Sequence, residues 1–171
     1  MPEAQRSRLE PYLAACSAAA PEFRWTPAGN LHLTIRFVGS VDRDVVDQVA
    51  GRLDELPLPG FELGLGEVGT FKRGRLVRVV WLQVGAGADP ARHLAARVEA
   101  ACVSAGLEPE VRAFQPHLTL ARARSRDGAD LPPLPAPPAL PPWRAEGLVL
   151  YSSRLARTGA VYETLRTIRL S

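Results

Sequence analysis

One tetrapeptide constrains this chain more than any other feature. His32-Leu33-Thr34-Ile35 recurs as His117-Leu118-Thr119-Leu120, 85 positions later. Half a chain length between copies points to a duplicated lobe, not a short solenoid repeat. The 171 residues suffice for one ordinary domain, or for two small lobes sharing a core. Side chains alternate along a strand, so His and Thr two residues apart face the same way and the intervening leucines face the packing. A single His-Leu-Thr has an ordinary explanation, because histidine is often satisfied or exposed on a strand and threonine is a common strand residue. Two copies that use two of only three histidines reverse that weighting. Polar residues on a sheet face, repeated in each half, ask for a shared cleft.

The remaining pattern reads as α+β with antiparallel pairing. Residues 3–20 predict a helix with Leu9, Leu13 and Cys16 on one stripe and a kink or break at Pro11. Residues 30–39 predict a strand ending at Gly39. Asp42 can cap a second helix that carries Val45, Val46, Val49 and Leu53. Residues 61–71 and 76–84 predict a hairpin about the turn Lys72-Arg73-Gly74-Arg75. Asp89 at the N-cap, Pro90 in the first turn and Gly106 beyond the end mark a third helix. A strand is expected within residues 112–122. The stretch 131–142, L-P-P-L-P-A-P-P-A-L-P-P, holds neither helix nor ladder and predicts a stiff surface connector. Two strands, 146–152 and 161–170, close the chain.

Composition excludes several classes. With 46% hydrophobic and 23% charged residues, the chain is neither a disordered tail nor a disulfide scaffold. No apolar run approaches the roughly 18 residues of a membrane span. The polar start Met1-Pro2-Glu3-Ala4-Gln5-Arg6 lacks a signal-peptide core, so a soluble cytoplasmic protein is expected; a monomer is expected as well. The formal charge of +3 permits an anionic ligand without demonstrating one. Twenty of the 21 basic residues are arginine, which suits phosphate but reads first as a bias of composition. There is no His-Glu-x-x-His, no cysteine pair at ligand spacing and no phosphate-cradling loop, so neither metal nor cofactor is expected. Cys16 and Cys102 each sit in Ala-rich helical stretches.

Around the repeat stand further residues. Trp25-Thr26-Pro27 leads into Asn30-Leu31-His32-Leu33-Thr34 and Phe37-Val38-Gly39. The second copy lies in Phe114-Gln115-Pro116-His117-Leu118-Thr119-Leu120-Ala121-Arg122, and Leu148-Val149-Leu150-Tyr151-Ser152-Ser153-Arg154 follows near the end. Over most of its length the chain resembles the two-histidine phosphoesterases. Within them it is similar to the bacterial and archaeal RNA 2′,3′-cyclic phosphodiesterases, also called 2′-5′ RNA ligases. The resemblance implies a bilobal, pseudo-two-fold α+β domain over residues 1–171, with two antiparallel sheets and flanking helices around a central groove. Each lobe is then expected to lend one His-x-Thr strand. Family members open with a short apolar strand that nothing before Ala4 supplies, so an upstream start or a sheet short of a strand is expected. Residues after Arg126 are Pro-rich where relatives often carry a helix.

Hydrolysis of a cyclic phosphodiester needs a base for water and an acid for the leaving ribose oxygen, and imidazole suits both. The resemblance implies His32 as proton donor and His117 as proton acceptor, although a pseudo-symmetric site can run either way. Thr34 and Thr119 are expected on the non-bridging oxygens. Arg36, four residues beyond His32, falls on the catalytic face of an unbroken strand. Arg122, five beyond His117, is turned away by regular alternation and reaches the site only if the strand bends or ends there; the resemblance, in which a basic residue often holds this position, implies it as a phosphate-binding residue. The expected partner is RNA ending in a 2′,3′-cyclic phosphate, or a small cyclic nucleotide. The alternatives are a related enzyme of a small cyclic or 2′-5′-linked nucleotide and a non-catalytic RNA-binding module.

Overall fold

Apolar residues at helical spacing set three helices in the computed structural model, which describes residues 1–156 and 159–171. Helix α1, Glu3–Ala19, buries Leu9, Tyr12, Leu13 and Cys16 along one stripe. It runs through Pro11 without the expected break. Pro11 lies on the exposed side, so its ring meets solvent while the buried stripe on either side anchors both halves of the helix. Helix α2, Arg43–Asp54, starts after Asp42, whose carbonyl accepts from Val45 and Val46 while its side chain makes no capping bond. Helix α3, Ala88–Ser104, begins just before Asp89, placing Asp89 in the first turn and not at the cap. Gly106, at φ +92°, closes the turn beyond it.

Among the described residues there are eight strands: β1 Phe23–Trp25, β2 Phe61–Leu63, β3 Leu65–Arg73, β4 Leu76–Val84, β5 His117–Ala123, β6 Trp143–Ala145, β7 Gly147–Ala156 and β8 Gly159–Arg169. The β3–β4 hairpin turns at Gly74, whose φ of +58° suits a residue without Cβ. The main sheet has the order β1-β5-β4-β3, antiparallel at every pairing; β2 pairs with β6 and β7 with β8. Mixed helices and antiparallel sheets are as expected. Residues 30–39 depart from expectation: only Leu33 pairs, through a single antiparallel bridge to Leu118. No strand precedes α1 among the described residues.

The chain divides into two compact units, each assembled from three segments. Unit 1 comprises Met1–Thr34, Glu62–Ala88 and Pro116–Trp143. Its core joins Leu9, Leu13 and Cys16 of α1 to Phe23, Leu31, Val80, Leu82, Leu118, Leu120 and Ala121, so α1 covers one face of the main sheet. Each fully buried leucine, valine or phenylalanine among them contributes about 1.5–3 kcal/mol. The Pro-rich stretch carries no helix or strand, but Leu131, Leu134 and Leu140 pack on this core and Gln5 Nε2 donates to the Pro141 carbonyl. It is a strap held by its leucines. Unit 2 comprises Ile35–Phe61, Asp89–Gln115 and Arg144–Ser171, with a core of Val49 and Leu53 from α2, Leu94, Val98 and Cys102 from α3, and Ile168 and Leu170.

Candidate active site

All four His-x-Thr polar residues belong to unit 1, so the copies are not divided one to each unit. Strand β5 presents the second copy. Leu118, Leu120 and Ala121 enter the core while His117 and Thr119 are half-buried on the opposite face, which α1 leaves uncovered. Cross-strand partners agree with these faces: Leu82 pairs Leu118 on the core side, and Gln83 and Trp81 pair His117 and Thr119 on the other.

Register also re-aims Arg122. Val80 pairs Ala121 and Trp81 pairs Thr119, so Leu120 is an extra residue on β5 and forms a bulge. Leu120 and Ala121 consequently both enter the core, and the alternation slips by one. Arg122, exposed and paired with Val79, then emerges on the face of His117 and Thr119. The bend on which its role depended is this bulge.

The first copy reaches the same face by another route. After β1 pairs with the far end of β5, Thr26 N donates to Leu120 O at 2.7 Å. A 3-10 turn, Ala28–Asn30, then lifts the chain away before it returns to pair Leu33 with Leu118. An antiparallel pair has a local two-fold axis between its partners. Here that axis passes between Leu33 and Leu118 and carries His32 onto His117 and Thr34 onto Thr119. Register sets His32 beside Thr119 and Thr34 beside His117. The two histidines take diagonal positions, which on an antiparallel pair stand about 7–8 Å apart. Such a gap admits a phosphate between two imidazoles.

Each imidazole is oriented differently. His32 Nδ1 lies 2.8 Å from the Asn30 carbonyl oxygen. A carbonyl only accepts, so Nδ1 carries the proton of this contact. His117 is packed by aromatic rings: Phe71 meets it edge-on at 5.0 Å and 89°, and Trp81 lies at 5.9 Å. Phe71 and Trp81 contact each other at 5.3 Å. Trp81 spreads over Gly69, its register partner, where a Cβ would stand 2.2 Å from the indole Cη2. Sequence reasoning missed this wall. Its signal was the pairing of a glycine with a tryptophan across an evident hairpin.

Arg36 is engaged by partners of its own. It belongs to unit 2, where Nε lies 2.6 Å from Glu99, Nη1 3.3 Å from Glu110, and Nη2 donates to the Glu108 carbonyl at 2.7 Å. Its side chain is 12% exposed. Two carboxylates and two backbone carbonyls, those of Phe37 and Glu108, already occupy the guanidinium, and the strand that was to aim it does not form. His93 is exposed on α3, its Nδ1 near the Asp89 carbonyl. Among the described residues no cluster of three or more His, Cys, Asp or Glu can hold a metal, and no helix is long and apolar enough to cross a membrane.

The sequence matches the 2′-5′ RNA ligase superfamily over residues 3–154, and the chain belongs to that superfamily. It is 33% identical over 146 residues to the RNA 2′,3′-cyclic phosphodiesterase of Aeropyrum pernix, spanning 82% of each chain. The RNA 2′,3′-cyclic phosphodiesterase of Escherichia coli is 31% identical over 142 residues, 81% of this chain and 75% of that one. The crystal structure of E. coli LigT complexed with 3′-AMP superimposes with a TM-score of 0.85 at 26% identity, covering 100% of this chain and 94% of the other.

Proposed function

We propose that this chain is an RNA 2′,3′-cyclic phosphodiesterase that opens the cyclic end to a 2′-phosphomonoester by imidazole acid–base chemistry. The observation that carries the reading is the Leu33–Leu118 bridge, whose two-fold relates two His-x-Thr triplets across one surface. His117 takes a proton from water as its oxygen attacks phosphorus. The bond from phosphorus to O3′ breaks on the opposite side, and His32 Nε2 delivers a proton to O3′. The products are a 2′-phosphate and a 3′-hydroxyl. In-line displacement needs base and acid on opposite sides of phosphorus, which diagonal histidines provide. Thr34 and Thr119 hydroxyls donate to the non-bridging oxygens, and Arg122 adds positive charge on the same face. When a 5′-hydroxyl attacks the cyclic phosphate in place of water, O3′ leaves as before and takes the acid's proton, and the two RNA ends are joined through a 2′-5′ linkage.

The test is incubation with an oligoribonucleotide ending in a 2′,3′-cyclic phosphate, followed by identification of the new terminus. A 2′-phosphate formed in excess chelator is expected. A 3′-phosphate product would reverse the assignment of the leaving oxygen, and activity abolished by chelator and restored by one added metal would overturn the imidazole mechanism.

A further inference from the structure

Strand β4 sets one polar side chain beside the base. Gln83 is the register partner of His117. Its neighbours Leu82 and Val84 are both buried, so alternation turns Gln83 to the face that carries His117 and Thr119. Directly opposed residues of an antiparallel pair have Cβ atoms about 4.5–5.5 Å apart. Gln83 is exposed, and among the described residues no hydrogen bond engages its carboxamide. The aromatic wall on the same side offers a nucleophile no acceptor. Phe71 carries no hydrogen-bonding group, and the Trp81 indole only donates, through an Nε1 that is itself buried. Across His117 from Gln83, the register about the Leu33–Leu118 bridge sets Thr34, whose hydroxyl the proposed mechanism commits to a non-bridging oxygen.

The reaction needs an acceptor at that place. Water carries two protons. His117 takes one as the oxygen attacks phosphorus, and the second stays on the oxygen. Holding that second proton to one side aims the oxygen lone pair at phosphorus. A carboxamide oxygen can do this, and GTPases use a glutamine to orient their attacking water. We propose that Gln83 Oε1 accepts a hydrogen bond from the attacking water, which makes Gln83 a water-positioning residue beside the base. The inference rests on the proposed function and goes beyond it by separating two nucleophiles. An alcohol has a single hydroxyl proton, which His117 takes, and its carbon fills the place of the proton that Gln83 holds. Gln83 therefore favours hydrolysis over transfer to an alcohol.

The experiment incubates a 2′,3′-cyclic mononucleotide in buffer containing methanol and measures two products. Water yields the 2′-phosphomonoester. Methanol attacks phosphorus, loses its proton to His117 and expels O3′, which takes the proton of His32; the product is the 2′-methyl phosphodiester. Gln83→Leu keeps most of the side-chain volume and removes the acceptor. It should lower kcat for hydrolysis by about tenfold, the worth of one hydrogen bond, and methanolysis by no more than about twofold. The ratio of methyl ester to monoester should then rise by about five- to tenfold. Gln83→Glu retains an acceptor oxygen and should bring the ratio back toward that of the wild type, whatever its absolute rate. Both products form at one site in one incubation, so loss of folded protein lowers them together and leaves the ratio alone. An unchanged ratio in Gln83→Leu, or the same raised ratio in Gln83→Glu, overturns the proposal. A wild type that forms neither product overturns the functional reading, and the proposal with it.

Discussion

Replacing Gly69 by Ala perturbs the site from behind. The new Cβ would stand 2.2, 2.3 and 2.5 Å from Cη2, Cζ2 and Cζ3 of Trp81. Carbon atoms in contact prefer 3.5–4.0 Å, so the indole must withdraw by about 1–1.5 Å. It has little room, being 9% exposed and packed between Phe71 and His117. Overpacking of this kind costs about 1–3 kcal/mol. At roughly 2–4 °C per kcal/mol for a chain of this size, the melting temperature should drop by about 2–12 °C. Displacement of the ring also moves the imidazole that leans on it. A misplacement of about 1 Å near a reacting group costs on the order of a hundredfold in rate. Gly69→Ala should therefore retain its circular dichroism spectrum at 25 °C, melt earlier and lose one to two decades of kcat on a cyclic-phosphate oligonucleotide, as an order of magnitude. Adding Trp81→Phe removes the benzo carbons that clash, together with an Nε1 donor buried without an acceptor. The double variant should regain stability over Gly69→Ala alone. An unshifted melting curve with full activity would refute the coupling from Gly69 through Trp81 to His117.

Other expectations follow from the same geometry. His32→Ala and His117→Ala should each lower turnover by roughly two to four decades, and the double variant by much less than the product, because an acid and base acting together are not additive; near-normal turnover in either single variant removes that residue from the mechanism. Arg36→Met should lower the melting temperature, leaving Glu99 and Glu110 without their cation, yet keep kcat/KM within about twofold, since its groups are held by carboxylates and not by substrate; a fall in kcat/KM without loss of stability would restore it to the phosphate. Burial pushes the thiols of Cys16 and Cys102 above the usual range, so both stay protonated in the folded state at pH 8. A thiol reagent should label neither until denaturant is added, and prompt labelling of the native protein would contradict their burial.

The chain declares its chemistry more openly than its geometry. The repeat is legible because His-Leu-Thr needs only alternation to place two polar residues on one side, and the third helix because Asp89, Pro90 and Gly106 bracket it. The β3–β4 hairpin is legible from Lys72-Arg73-Gly74-Arg75. What fails depends on partners that local pattern does not name. Phe23–Trp25 is too short to declare itself a strand without the β5 edge to pair with. Residues 30–39 carry strand-like alternation, but only Leu33 meets an edge. Arg36 looked toward the substrate on the assumption of an unbroken strand, and is instead taken by Glu99 and Glu110. Arg122 shows the same lesson in reverse. Leu120-Ala121-Arg122 alternates normally as text, and only the offset between Val80–Ala121 and Trp81–Thr119 reveals that the arginine has changed sides.

The bridge also explains how little of each copy must match. Its middle leucine supplies the backbone pairing, and in the proposed mechanism its outer residues supply the acid–base and phosphate groups, so three residues per copy suffice. The surroundings are free to differ, and they do. His117 and Thr119 ride on a strand paired to β4 and wedged by Phe71 and Trp81. His32 and Thr34 ride on an irregular segment joined to that strand at Leu33, with His32 steadied by the Asn30 carbonyl. A two-fold relation between the His-x-Thr triplets is thus combined with unequal backbone pairing, one copy on a full strand and one at an isolated bridge. Base and acid duties need different environments, and an exact structural duplicate would give both histidines the same one. On the proposed mechanism, asymmetry of support around a symmetric bridge lets one imidazole begin the cycle as the base and the other as the acid.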